Sequence, residues 1–427
     1  MARTTAAARL VVGACAVVTL VLGASTAQAQ WELVEGERGY LELGANLQVV
    51  SAYVDMGGID GIDELPGLDD EAGLGGAVGR LEWRGEWGRR MDVNVHQRLF
   101  WQTSTLPEEL LGQGLGVSAG SDRRVDTEVD LLDGEDLRLS HDLDRAAVGL
   151  YFGWGDLYVG RQAIRWGTSD LFAVADRFAP LSPFELDTIQ RRGVDAARAV
   201  THLSPSLELD MVVADRGSGE PLSLGARAEY FGARSDVYGA VGRFWERLSA
   251  MAGVSVLAGH WKIFGEAEGL WNLDDESLDR PRATLGAQRT SMSWQMGLEY
   301  HFNGLGSSGS DGYGAALGQP EFERGESYLL GRHYVGATGM YLSEGSLRAG
   351  GGAIVNIVDP SAVLFPTVEY ELDDRFAVTG GAYVGVGEGG AIDLGEMEGG
   401  DPATALAMPS EFGATSNLYF VQMTAYF

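Results

Sequence analysis

The sequence predicts an all-β fold: a transmembrane antiparallel β-barrel of about eighteen strands, preceded by a cleaved secretion signal. Three observations carry that expectation. Apolar and polar residues alternate with period two in segments of about ten residues, the length a tilted strand needs to cross a bilayer. Turn residues separate these segments, and many of them are among the 62 glycines, whose spacing follows no collagen period. The last segment alternates Tyr419, Val421, Met423, Ala425 and Phe427 with Phe420, Gln422, Thr424 and Tyr426, and the chain stops at the phenylalanine.

The N-terminus sets the compartment. Arg3 and Arg9 form a basic start, Leu10 to Gly23 is an apolar run, and Ala27-Gln28-Ala29 offers a small-x-small cleavage site. Residues 1–29 therefore read as a signal peptide, with the barrel over 30–427. No later segment offers about 18 uninterrupted apolar residues, so helical spans are excluded. The single cysteine, Cys15, lies within the signal, which leaves no disulfide, thiolate metal site or cysteine nucleophile to the processed chain.

The formal charge of −30 becomes −32 once Arg3 and Arg9 leave with the signal. So acidic a surface repels nucleic acid, and no basic patch opposes it. Ten Trp, fifteen Tyr and fifteen Phe, set in recurrent alternation, argue against disorder. Acidic runs such as Asp60 to Glu71, Leu131 to Asp136 and Asp274 to Asp279 read as solvated loops.

In chain order, the first strand covers Gly39 to Val54, with Leu41, Leu43, Ala45, Leu47 and Val49 on one face. After an acidic loop, Gly73 to Trp87 sets Leu81, Trp83, Gly85 and Trp87 against Arg80, Glu82, Arg84 and Glu86. A tight Gly88-Arg89-Arg90 turn leads to Met91 to Trp101, where Met91, Val93, Val95, Gln97 and Leu99 oppose Asp92, Asn94, His96 and Arg98. A second acidic loop, Gln102 to Glu135, precedes a strand over Asp136 to Phe152. The strand Leu157 to Trp166, a third long loop over 167–190 and the strand Arg191 to Leu203 follow. Long and short connections then alternate to the C-terminus and give eighteen strands. An even count puts both termini and the short turns on the periplasmic side. The weakest elements are the small hairpin around Arg289 and the unbroken strand Asp136 to Phe152, and sixteen strands are the alternative count.

Eighteen closed strands leave a lumen wide enough for water and small solutes unless something fills it. Trp31 to Arg38 is too short for a separate plug. The positions opposite the apolar face suit a wet lumen. Besides Arg80, Glu82, Arg84, Glu86 and Arg98 they include Arg227, Glu229, Glu266, Glu268, Glu299, Arg348, Glu369 and Glu371. A midplane arginine facing lipid costs about 2–4 kcal/mol, so these side chains belong inside.

The third long loop carries charges of both signs, and its position resembles that of the third loop of general porins, which implies that it folds inward. From the loop, the candidate constriction residues are Asp170, Asp176, Arg177, Glu185 and Asp187. From the flanking strands they are Arg161, Arg165, Arg191, Arg192, Asp195 and Arg198. Opposed arginines and carboxylates would set up a transverse field that sorts solutes by charge and dipole. The rival reading is anchorage, because guanidinium forks also pin carboxylates and carbonyls.

The patches Gly160-Arg161-Gln162-Ala163-Ile164-Arg165-Trp166-Gly167, Asp176 with Pro180, and Arg192-Gly193-Val194-Asp195-Ala196 resemble porin-like outer-membrane barrels of Gram-negative bacteria. So do Asn356 with Asp359-Pro360-Ser361 and Pro366, Glu411-Phe412-Gly413, and the Tyr426-Phe427 end. The aromatic end is similar to the final-strand signal that the barrel assembly machinery favours. The resemblance implies a multi-pass barrel in the cell outer membrane, among lipid and lipopolysaccharide, passing small hydrophilic solutes. It names no cargo and no oligomeric state.

No cofactor and no metal are expected, since the six His are scattered without HExxH spacing. No GxSxG elbow or phosphate loop appears in a suitable context. Two other readings stand beside the channel: a structural barrel that sheathes or secretes a protein or polymer partner, including a redox conduit, and an outer-membrane hydrolase.

Overall fold

A computed structural model describes residues 30–36, 39–64, 69–104, 123–134, 137–180, 182–184, 191, 193–217, 219–343, 345–392 and 406–427. Eighteen antiparallel strands form the wall. They are β1 (Gly39–Asp55), β2 (Glu71–Trp87), β3 (Met91–Ser104), β4 (Leu137–Phe152), β5 (Gly155–Gln162), β6 (Val194–Ser204), β7 (Leu207–Asp215), β8 (Ser223–Phe231) and β9 (Ser235–Phe244). The second half comprises β10 (Arg247–Ala258), β11 (Trp261–Asn272), β12 (Arg282–Thr290), β13 (Trp294–Asn303), β14 (His333–Leu342), β15 (Leu347–Asn356), β16 (Ser361–Asp373), β17 (Phe376–Val386) and β18 (Asn417–Tyr426). Each pairs with its neighbours in sequence, and Asn46 to Asp55 of β1 pair with Tyr426 back to Asn417 of β18. That last pairing closes the barrel and removes its free edges. The nine connections on the long-loop side, in chain order, are L1 (56–70), L2 (105–136), L3 (163–193), L4 (216–222), L5 (245–246), L6 (273–281), L7 (304–332), L8 (357–360) and L9 (387–416).

The eighteen-strand count matches the sequence expectation. One of its weakest elements, the hairpin around Arg289, exists as β12 and β13, paired from Arg282 with Asn303 to Thr290 with Gln295. Two strand ends differ from the alternation reading. The strand expected to run to Trp166 ends at Gln162, and its partner starts at Val194 instead of Arg191. The chain leaves the sheet early because Ile164 and Trp166 are buried inside L3, where the Trp166 indole donates to Asp210 Oδ2 at 2.8 Å.

Two additions to the wall carried no clear period in sequence. Gln30–Gly36 pairs with the first residues of β1, below the seam with β18. Val129–Gly134, within the acidic second loop, forms a hairpin with the top of β4.

The two faces of the wall separate chemically. Leu224, Tyr230, Val237, Val241, Leu248, Val254, Ile263, Leu285, Leu298, Val368 and Val421 are exposed outward. Many positions one residue away are polar and are covered from within, such as Glu266, Glu268, Thr284, Glu299 and His301. An exposed apolar band around a closed sheet is the pattern a bilayer demands. Under the loops, Ile164, Trp166, Phe178, Val212, Tyr238, Phe244 and Trp245 form one apolar cluster, and Phe172, Leu329, Tyr334, Ile354, Val363 and Phe412 belong to a second.

Candidate functional site

The lumen site is built by L3 (residues 163–193) against the polar face of the wall. From the long-loop end of β5 the chain descends to Asp170, whose carboxylate accepts from Gln288 Nε2 at 2.6 Å, two residues from the lower end of β12. It then rises, and Pro183 O accepts from Tyr383 of β17 at 3.3 Å. L3 thus passes along the inner faces of β7 to β14 and reaches β17.

Two wall carboxylates hold its lowest turn. Glu266 of β11 accepts from the Thr168 backbone N–H and from Tyr238 at 3.1 Å. Glu299 of β13 accepts from Ser169 Oγ and from the backbone N–H groups of Asp170 at 3.1 Å, Leu171 at 3.3 Å and Phe172 at 3.3 Å. Successive N–H groups in a tight turn make an anion-binding concavity, and here the anion is the wall itself. Two glycines let the loop lie close. A Cβ on Gly336 would come within 2.5 Å of Leu171 and 2.8 Å of Phe172, and one on Gly225 within 2.5 Å of Trp166.

Higher up, ion pairs lock L3 to other loops. Arg177 is buried, 3.5 Å from Glu268 of β11 and 2.6 Å from Glu326 of L7. Glu268 also binds Arg282 of β12. The Trp245 ring lies in a stack of cations, with Arg216 of L4 at 4.4 Å and Arg324 of L7 at 4.7 Å from its centroid. Its φ of 49° is a left-handed conformation that a bulky residue adopts only when its surroundings compel it. Glu246 next to it is partly buried, which works against ionisation. Its bond from Arg324, 2.9 Å, nevertheless holds the carboxyl below its ordinary range.

The sequence candidates fall into separate groups. Asp176 is buried and accepts from the Trp166 and Gly167 N–H groups at 2.8 and 2.7 Å and from Arg191 at 2.7 Å, so it is internal to the loop. Arg198 grips Asp210 with two bonds, 2.9 and 2.8 Å. Arg161 and Asp195 oppose one another in register, and Val125 O and Thr127 of L2 cover the Arg161 guanidinium. The guanidinium also lies 3.7 Å from Asp142, the carboxylate that Arg98 of β3 approaches. Among the described constriction candidates, Arg165 and Asp170 alone keep about half or more of the side chain exposed, 47% and 62%, with a closest approach of 4.0 Å. Glu185, Asp187 and Arg192 lie outside the described residues.

Among the lining candidates, Arg80 of β2 is buried and in register with Arg98 of β3, which approaches Asp142 at 3.8 Å. Glu82 bonds Arg84 at 2.6 Å, and Glu86 stands opposite Tyr40. Arg227 pairs with Glu229 at 2.9 Å and lies 4.4 Å from the Tyr238 ring. Arg348 bridges Glu369 at 2.8 Å and Glu371 at 2.6 Å. At the seam, Phe427 and Ala45 exchange backbone bonds of 2.7 and 3.0 Å. Phe427 and Met423 pack with Leu47 against Ala425 and Phe376, and Tyr419 and Val421 stay exposed.

Sequence reading missed Arg123, Asp142 and Asp144, which tie L2 to β4, as well as Arg282, Arg324 and Glu326. Arg282 was accessible, since it shares strand parity with the buried Thr284. Arg324 and Glu326 sit in a Gly- and Ser-rich loop without period and left no signal.

No family model matches the chain, and no curated protein matches it. Solved structures do. OccAB4 of Acinetobacter baumannii superposes with a TM-score of 0.53 at 9% identity, covering 92% of this chain and 99% of that one. OpdK of Pseudomonas aeruginosa, solved with vanillate, gives 0.50 at 11% identity over 90% and 98%. A mutant porin of Rhodopseudomonas blastica gives 0.44 at 12% identity over 91% and 100%. At these identities the likeness is one of fold. The closed barrel, its apolar outer band and its charged inner face define the class as a transmembrane β-barrel, and its fold is similar to those of OccAB4 and OpdK.

Proposed function

We propose that the chain is an outer-membrane channel for passive diffusion of small hydrophilic solutes, with L3 as the element that narrows its lumen. One observation carries the reading. At the lowest point of L3, Arg165 and Asp170 stay open to water, although other described residues of the loop are fastened by buried ion pairs and backbone hydrogen bonds. Fixed charges of opposite sign at an opening have no need to reorganise as a solute passes. They order water across the channel and favour solutes whose dipole fits that field.

Arg161, Asp176, Arg177 and Asp195 act as anchors in this reading, because each is satisfied by partners that hold loop to wall or loop to loop. The paired groups lower down, Arg84 with Glu82 and Arg348 with Glu369 and Glu371, line the wider inner mouth. No catalytic, metal or cofactor role is assigned. Residues 1–29 are taken to direct export and to be removed. The Phe427 end is taken as the element read by the assembly machinery, and lipid and lipopolysaccharide as the surroundings of the apolar band.

The test is solute flux. Liposomes carrying the purified protein should swell in isotonic pentose or hexose and stay unswollen in a large polysaccharide. Equal, absent swelling with all of these sugars would remove the diffusion reading.

A further inference from the structure

Asn356 with Asp359-Pro360-Ser361, and Glu411-Phe412-Gly413, lie 50 residues apart in sequence but meet in one buried cluster at the long-loop mouth. Glu411, on the final segment of L9, accepts from the Leu330 N–H of L7 at 2.9 Å, from Tyr334 of β14 at 2.5 Å and from Asn356 of β15 at 2.7 Å. Its own N–H donates to Asp359 Oδ2 of L8 at 2.7 Å. The same Asp359 oxygen accepts from Tyr313 of L7 at 2.6 Å and from Asn356 at 3.1 Å.

The titratable groups facing Glu411 are thus Tyr334, Tyr313 and Asp359. No cationic side chain among the described residues lies within ion-pair distance of either carboxylate. Two acids share one amide, Glu411 and Asn356 being buried and Asp359 half-buried. The cluster also reaches the lumen. Phe412, next to Glu411, packs against Tyr334 and against Phe184 of L3, with ring centroids 6.3 Å apart in both cases.

We propose that this cluster is a proton-operated latch: a proton taken from water by Glu411 fastens the L9 segment onto L7, L8 and the wall, and its loss loosens that segment and the Phe412–Phe184 contact with L3. A second negative charge beside Asp359, buried without a cation, is the unfavourable state, so the latch holds best when Glu411 is neutral. Burial, reinforced by Asp359, outweighs the bonds from Tyr334, Leu330 and Asn356, which favour the charged form, and moves the Glu411 carboxyl from 4.5 up to about 7. A folded-state value raised in this way means that docking is strongest below about pH 4.5, weakens as pH rises, and levels off above about pH 7.

The experiment is hydrogen–deuterium exchange of residues 406–416 in the detergent-solubilised protein from pH 4 to 9, expressed as protection factors so that the chemical pH dependence cancels. The expected result is a fall on the order of 100-fold between pH 4.5 and 7 and a plateau above, absent in Glu411→Gln. Asp359→Asn removes the neighbouring charge and should move the end of the fall to lower pH, which keeps the test open if Glu411→Gln does not fold. Flat protection in the wild type, or the same fall in Glu411→Gln, overturns the latch. The readout does not depend on solute passage; only the effect on L3 rests on the channel reading, so the two fail separately.

Discussion

Arg161 on β5 and Asp195 on β6 stand directly opposite one another, guanidinium Nε to carboxylate Oδ1 at 2.8 Å, at the long-loop end of the wall. Arg161 also donates to the Leu143 carbonyl and to Thr127. It therefore joins three strands and L2 where β5 stops short. Removing one partner of a buried pair costs about 3–5 kcal/mol, because the other charge is stranded. Arg161→Ala should lower the urea midpoint of the folded barrel accordingly and leave ion selectivity unchanged. A shifted reversal potential with unaltered stability would put Arg161 back in the permeation path.

Arg165 and Asp170 carry the opposite expectation. Both are exposed, and ion pairs this open contribute about 0–1 kcal/mol to stability. Asp170→Asn should shift selectivity toward anions and Arg165→Gln toward cations, with thermal unfolding of the barrel near the wild-type value. Reversal potentials in a salt gradient measure this; identical potentials in all three proteins would separate L3 from selectivity.

The grip of Glu299 on the L3 turn predicts a mechanical effect. Glu299→Leu removes the acceptor for Ser169 and for three backbone N–H groups, each a hydrogen bond worth about 0.5–3 kcal/mol. Gly336→Val instead pushes on Leu171 and Phe172 from below. Both substitutions should displace the loop and give larger, noisier single-channel currents. Unchanged current amplitude in both variants would mean that L3 does not set the opening.

Trp245 tests the loop-to-loop contacts. Truncating a buried Trp to Ala costs about 3–5 kcal/mol, and each cation–π contact adds about 0.5–2 kcal/mol. Trp245→Ala should therefore release Arg216 and Arg324, lower the thermal unfolding temperature and expose L7 to protease. Protease resistance equal to the wild type would show that the stack contributes little.

These cases show what the sequence made legible. Strict alternation in segments such as Leu81 to Trp87, together with the terminal Phe427, was sufficient for class, strand count and the two faces, because a bilayer allows so few β solutions. Side-chain roles in L3 were less accessible. Asp170 and Asp176 are six residues apart and equally acidic, but one ends at the water and the other beneath Trp166, a difference decided by tertiary contacts. Arg161 is held by Asp195, the Leu143 carbonyl and Thr127, on three separate segments that no local pattern links. The partners of Arg177 come from β11 and L7, too distant in sequence for any local pattern to reveal.

The central claim is that the barrel holds a water-filled path past L3. It is tested most directly by reconstituting the purified protein into a planar bilayer under an applied voltage. The account predicts discrete, stepwise increases in current that persist in ohmic fashion at low voltage. A membrane that stays sealed at high protein load, with the protein verified as folded and inserted, would contradict it.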